Sequence, residues 1–238
     1  MLLYPAIDLM GGQVVRLERG VATKKKVYST DPVAIAKKWE AAGADWLHIV
    51  DLDAAFGGKN ANLGVVQEIV AAVSIPCQLG GGMRDADSIR AGLATGAKRV
   101  IIGTRAAEPG FLAEAVGIFG SGNLAVGIDA KDGKVAVKGW VETMNLTAIE
   151  LASEARNTGI QTIIYTDIAT DGMLQGPNLD AMREMAASVP CELIASGGVS
   201  CPDDICQLVD VPGIHGVIIG RALYEGRMPE NLRSILKT

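Results

Sequence analysis

Histidine and cysteine are scarce in this chain: two histidines, His48 and His215, and four cysteines, Cys77, Cys191, Cys201 and Cys206, with no CxxC spacing. That inventory argues against a zinc site or a disulfide framework. Cys77 and Cys191 each follow Ser-x-Pro at the start of an apolar run and read as small core residues. Positive charge is also short. With a net charge of −5 the chain is not expected to offer a general nucleic-acid surface, and its one basic cluster, Lys24-Lys25-Lys26, reads as a solvated loop tip. No apolar run approaches the length of a membrane span, and the opening MLLYPAIDLM has neither a basic leader nor a cleavage site. A cytosolic protein without membrane or nucleic-acid partners is expected.

What is present is apolar residues at 49% and 29 glycines in 238 residues, the composition of a soluble α/β protein. Apolar runs at about 2–8, 46–52, 76–79, 99–102, 124–129, 161–167, 191–195 and 214–219 read as strands alternating with helical stretches. Asp31-Pro32 opens the first helix as a cap followed by a first-turn proline, and Gly43 ends it. Asn62-Leu63 and Asn178-Leu179 open the second and sixth, and further starts fall near Asp85, Thr147 and Pro202.

The two halves repeat. GADWLHIVD at 43–51 matches GIQTIIYTD at 159–167, Asn62-Leu63 matches Asn178-Leu179, and Gly81-Gly82 matches Gly197-Gly198, each pair 116 residues apart. The VIIG segments at 100–103 and 217–220 are 117 apart, and Asp8 and Asp129 are 121 apart. Landmarks in one order at nearly one offset indicate four β-α units written twice. The expected fold is α/β, a (βα)8 TIM barrel with a twofold half-barrel repeat. It forms one domain over 1–238, with half-barrels of about 1–120 and 121–238, and is expected to act as a monomer.

Asp8 and Asp129 each end a strand, sharing a face with Tyr4 and Ala6 and with Ala125 and Gly127. A largely small-residue face suits a barrel interior, and strand ends are where barrels keep their chemistry. Two carboxylates at matching positions suit a general acid and a general base whose surroundings separate their pKa values. On opposite sides of the mouth, with the aspartates between them, glycine-rich turns after the third and seventh strands, each paired with an Ile-Ile-Gly after the next strand, suit anion cradles. Gly82, Gly103 and Thr104 would line one, and Gly176, Gly198, Gly220 and Arg221 the other, implying a small-molecule substrate with a phosphate at each end. Thr166, on the Ile164 and Thr162 face, would add an inward hydroxyl. Asp51, Asp53, Asp167 and Asp171 are further candidates, Asp171 also readable as a simple turn residue. His48 reads more simply as a core histidine, and Trp140, beyond a hairpin at 134–138, as a stacking platform or as packing.

The segments PAIDLMGGQVVRL, HIVDLDAAFGG, QLGGGMR, IDAKDGKVAVKGW, YTDIATDGMLQGPN, ASGGVS and VIIGRALYEG together resemble the phosphoribosylformimino-AICAR-phosphate isomerase family of histidine biosynthesis. The resemblance spans nearly the whole chain. It implies a (βα)8 barrel performing an Amadori rearrangement on a bisphosphorylated substrate, ProFAR, without metal or organic cofactor. By the family pattern Asp8 is the base that takes the C2′ proton and Asp129 the acid that opens the furanose ring, with Asp171 a rival acid and Thr166 in support. Arg16 and Trp140 would close over the substrate from loops. Neighbouring readings are the imidazole glycerol phosphate synthase cyclase subunit, which tends to have cysteine where this chain has Ala6, and a bifunctional isomerase also acting on phosphoribosylanthranilate. The bifunctional relatives carry an arginine where this chain has Lys138. A non-catalytic phosphosugar-binding barrel would have little use for paired acids.

Overall fold

In the computed structural model, which describes residues 1–18, 21–58, 61–137 and 139–237, eight parallel strands close into a barrel. They are β1 (Leu2–Met10), β4 (Leu47–Asp51), β5 (Cys77–Gly80), β6 (Arg99–Ile102), β7 (Leu124–Lys131), β10 (Thr162–Asp167), β11 (Glu192–Ser196) and β12 (Ile214–Ile219). Closure comes from β12 pairing back on β1, Leu2 against Gly216 through Pro5 against Ile219. All eight strands expected from the sequence are present, with ends shifted by a few residues.

Four further strands form antiparallel arms at the mouth. Strands β2 (Gln13–Glu18) and β3 (Val21–Ser29) extend β1, while β8 (Lys134–Val137) and β9 (Glu142–Thr147) extend β7. The basic run 24–26 therefore lies on strand β3 and not at a loop tip, a correction with a plain cause. An edge strand facing water carries charge on its exposed side, and Lys26 Nζ meets Glu225 Oε1 at 2.9 Å.

Helices α1 (Pro32–Ala41), α2 (Leu52–Ala55), α3 (Leu63–Ala72), α4 (Ala86–Ala94), α5 (Phe111–Phe119), α6 (Ala148–Asn157), α7 (Leu179–Ser188), α8 (Pro202–Val209) and α9 (Arg221–Tyr224) follow in chain order. A 3-10 turn at Leu232–Lys237 ends the chain in place of an eighth long helix. Local chemistry sets the starts: Asp31 accepts from the Ala34 amide, Asp85 and Ser88 form a reciprocal capping box, and Thr147 and Glu150 form another. Asn178 likewise accepts from Ala181. Asn62 also precedes its helix, but its side chain does not cap it. It instead donates to Asp51 Oδ1 at 2.6 Å, much as Asn178 donates to Asp167 Oδ2 at 2.5 Å in the other half.

Strand alternation sorts the core into two compartments. Leu3, Ile7, Ile49, Leu79, Val100, Ile128 and Val217 face outward and pack with helix residues such as Trp39, Val66, Ile89, Leu151 and Leu208. Tyr4, Ala6, Ile101, Ala125, Ile164, Ile194 and Ile218 fill the inside. Small residues there make room for large ones: a Cβ on Gly216 would stand 2.5 Å from the Tyr4 ring. The floor is polar. Arg99, 6% exposed, bonds Gln78 and Thr162 and lies under the Trp46 ring.

The turn after β5 tolerates no side chain, because Gly81 has φ +99° and a Cβ on it would meet the Asp51 carbonyl oxygen at 2.1 Å. Gly81→Ala is expected to destabilise the fold by about 2 kcal/mol or more. Gly64→Ala, in α3 with open space around it, should be neutral or stabilising by roughly 0.5–1 kcal/mol. Chemical denaturation of both variants checks the contrast.

Candidate active site

The strand ends converge on one cavity of about 360 Å³ at the C-terminal mouth of the barrel, lined by both Asp8 and Asp129. Each aspartate is met by a residue that its own arm folds back over it. Arg16, on β2, donates from Nη1 to Asp8 Oδ2 at 2.8 Å. Trp140, in the turn between β8 and β9 with φ +72°, donates from Nε1 to Asp129 Oδ2 at 2.8 Å. The arm that carries Arg16 is anchored at its turn: Gly11 and Gly12, between β1 and β2, donate their amides to Asp53 and Asn62 at 2.7 and 2.9 Å.

The surroundings of the two carboxyls differ. Burial raises the pKa of each, and Asp171 raises both further. At Asp8 the Arg16 guanidinium opposes burial with a full positive charge; at Asp129 only the neutral Trp140 and Thr166 donors do so. The environment thus favours ionised Asp8 over ionised Asp129. Desolvation works against the charge of Arg16, but Asp8 and then Asp171, 3.9 Å away, keep it cationic. His48 also lines the cavity, its pKa pushed down to about 3 by burial and then by Arg16 and Arg99.

The structure brings most of the sequence candidates together. Arg16, Gly82, Gly103, Thr104, Trp140, Thr166, Asp171, Gly198, Gly220 and Arg221 all line the cavity. Thr166 lies level with Asp129 in the β7–β10 register. Gly103 and Gly220, each just before a short helical turn, share an unusual backbone, with φ and ψ of −96° and −115° in one and −104° and −107° in the other. Gly176 does not line the cavity. It lies behind Gly198, donating its amide to the Gly198 carbonyl at 3.0 Å, and its own carbonyl oxygen is 2.2 Å from where a Gly198 Cβ would fall.

Asp51 is buried under α2, accepting from the Ala54 amide and from Asn62. Asp167 plays the same part with Ala169 and Asn178, so these carboxylates are structural. Sequence reasoning missed Arg84, Arg105, Phe56 and Ser196, which also line the cavity. Arg84 and Arg105 each stand two residues after a cradle glycine, Gly82 or Gly103, a signal that was available.

Fold and cavity define a (βα)8-barrel protein with two partly buried carboxylates and two glycine-arginine rims around one mouth. The chain belongs to the histidine biosynthesis protein family, whose sequence model matches residues 2–229. It is 49% identical over 231 residues, 96% of this chain and 95% of the relative, to a protein of Syntrophomonas wolfei named 1-(5-phosphoribosyl)-5-((5-phosphoribosylamino)methylideneamino)imidazole-4-carboxamide isomerase. Proteins of the same name from Symbiobacterium thermophilum and Syntrophotalea carbinolica are each 50% identical, covering 94% and 96% of this chain and 92% and 95% of the relatives.

The Asp129 environment carries a stability consequence. Its folded-state pKa lies above the unfolded value, so its contribution is fully present below the unfolded pKa and is lost as pH rises through the folded one. At neutral pH, where the unfolded chain's aspartate is ionised, the buried position of this carboxyl therefore costs the fold stability. Asp129→Asn, which keeps an acceptor for Trp140, is expected to raise Tm at pH 7 by about 2–4 °C per kcal/mol relieved, with the gain vanishing in acid. Calorimetry at pH 7 and below pH 4 measures both.

Proposed function

We propose that this chain catalyses the isomerisation for which its relatives are named, converting ProFAR to PRFAR by an Amadori rearrangement in histidine biosynthesis. The observation that carries the mechanism is the pair of partly buried carboxylates in unlike surroundings. Asp129, without a cationic partner, holds a proton and delivers it to the furanose ring oxygen. The ring opens to an iminium at C1′. Asp8, kept ionised by Arg16, then takes the C2′ proton; the electron pair moves toward nitrogen to give an enolamine, which ketonises at C2′. Thr166 orients Asp129. Arg16 and Trp140 meet the substrate from their arms, the indole stacking on the imidazole ring.

Two phosphate sites belong to this reading. Gly82, Gly103 and Thr104, with Arg84 and Arg105 beside them, hold one phosphate; Gly198, Gly220 and Arg221 hold the other, with Gly176 supporting the second turn from behind. The matching glycine geometry and the matching Asp51–Asn62 and Asp167–Asn178 contacts support a barrel made of two equivalent halves. A crystal soaked in concentrated phosphate should show an anion near Gly82 and Gly103 and another near Gly198 and Gly220. A single occupied site would remove the argument from two cradles. The reading further takes the protein as a cytosolic monomer of one domain.

Asp8→Asn and Asp129→Asn should each lower kcat by about a hundredfold or more with a much smaller effect on KM. Near-native turnover of Asp129→Asn, with loss in Asp171→Asn, would move the acid role to Asp171. The kcat/KM profile should be bell-shaped: activity falls in acid as Asp8 protonates, at a pH above the ordinary aspartate value, and falls again at higher pH as Asp129 ionises.

The chain is taken as dedicated to one substrate. Phosphoribosylanthranilate offers a carboxylate in place of a second phosphate, best met by a planar arginine, and the position in question is Lys138, which lies outside the described residues. Side-by-side assays should give kcat/KM for ProFAR well above that for phosphoribosylanthranilate. Comparable values would end the claim of a single substrate, and ammonia-dependent cyclisation of PRFAR would point to the cyclase.

A further inference from the structure

His48 lies on β4 beside Ala6 of β1 and Gln78 of β5, one inward layer below Asp8. Its ring lines the cavity, yet the acid-base scheme leaves it idle. Hydrogen-bond chemistry beneath it is one-directional. Arg99, whose guanidinium can only donate, places Nε 2.9 Å from Gln78 Oε1. Gln78 must therefore present its NH2 on the other side, where Nε2 stands 2.8 Å from His48 Nδ1. A donor facing Nδ1 makes that nitrogen the acceptor, so the neutral ring carries its proton on Nε2. Among the described residues no acceptor within hydrogen-bond range of His48 Nε2 is present.

The source of this order is itself locked. Arg99 Nη1 donates to Thr162 Oγ1 at 2.9 Å, that hydroxyl donates to Glu192 Oε2 at 2.8 Å, and the guanidinium lies 4.4 Å from the Trp46 ring centroid. The guanidinium cannot turn over to offer an acceptor, because it has none. The positive charges of Arg99 and Arg16, together with burial, keep the imidazole neutral.

We propose that His48 is a substrate-contacting donor for this isomerase, its Nε2–H holding a sugar hydroxyl oxygen beside the carbon from which Asp8 takes its proton, and that Gln78 and Arg99 are positioning residues that set its tautomer. The proposal rests on the isomerase reading for its substrate, but not for the tautomer. A neutral donor suits this place. An imidazolium would compete with Arg16 for Asp8, and the opposite tautomer would set a lone pair against a hydroxyl that must itself be held.

The chain has two histidines, so long-range ¹H–¹⁵N spectra of the uniformly labelled wild-type protein resolve both rings. His48 is expected as the Nε2–H tautomer, without protonation down to about pH 4, with its Nε2 resonance moving when PRFAR is added. An Nδ1–H tautomer, or titration near the ordinary histidine pKa, would overturn the proposal whether or not any variant folds. Gln78→Met should give a mixture of tautomers and a roughly tenfold fall in kcat/KM for ProFAR. His48→Phe should match or exceed that fall, and His48→Gln, which keeps a donor, should recover part of it. Wild-type kinetics in His48→Phe would make the ring mere packing. Absence of ProFAR turnover in the wild type would instead defeat the isomerase reading and leave the tautomer result standing.

Discussion

Closure of eight strands into a ring with little room inside is the constraint on which the rest depends. Once β12 pairs with β1, every second residue of each strand is committed to an interior that holds few large side chains. Tyr4 and Ile101 fit because Gly216 and Gly127 leave space beside them. The same alternation carries Asp8 and Asp129 to one cavity from strands on different sides of the barrel. Among the described residues neither carboxylate has an inner-wall cation bonded to it, and each is met by the arm that its own strand extends.

Those arms divide the chemistry. One brings a guanidinium and the other an indole N–H, and this difference in partner separates two otherwise alike aspartates. The separation has a stability side as well. Carboxylates held away from water are penalised when ionised, so the features that tune them oppose the features that hold the barrel shut. The supporting contacts are correspondingly firm. Asp53 and Asn62 bind the β1–β2 turn that leads into the Arg16 arm, while Lys26, opposite Arg16 in the β2–β3 register, and Tyr28 bind Glu225.

Below the carboxylates, the barrel floor is a charged plug in place of an apolar one. Arg99 is tolerated there because Gln78, Thr162, Tyr4 and the Trp46 face all meet it. Its fixed direction of donation passes upward through one amide to the His48 ring. A structural solution at the floor therefore decides a chemical property at the mouth.

Strand order and the inward parity of Asp8, Asp129 and Thr166 were legible in the sequence because they rest on period-two alternation and on local caps such as Asp31, Asp85 and Thr147. The glycine-rich turns were legible as turns, but that Gly81 and Gly198 lie where backbone crowds backbone came from the fold. Other features came only from the tertiary structure. The run 24–26 joined a strand because β2 offered an edge to pair with, Gly176 went behind Gly198, and Asp51 and Asp167 turned to asparagines eleven residues on. Arg16 and Trp140 took different parts at the two aspartates, and Arg99 and Gln78 became a relay to His48. Local periodicity determines which face a residue occupies; which charge or donor it meets there is set by strands and arms distant in sequence, and only the closed barrel brings them within hydrogen-bond reach.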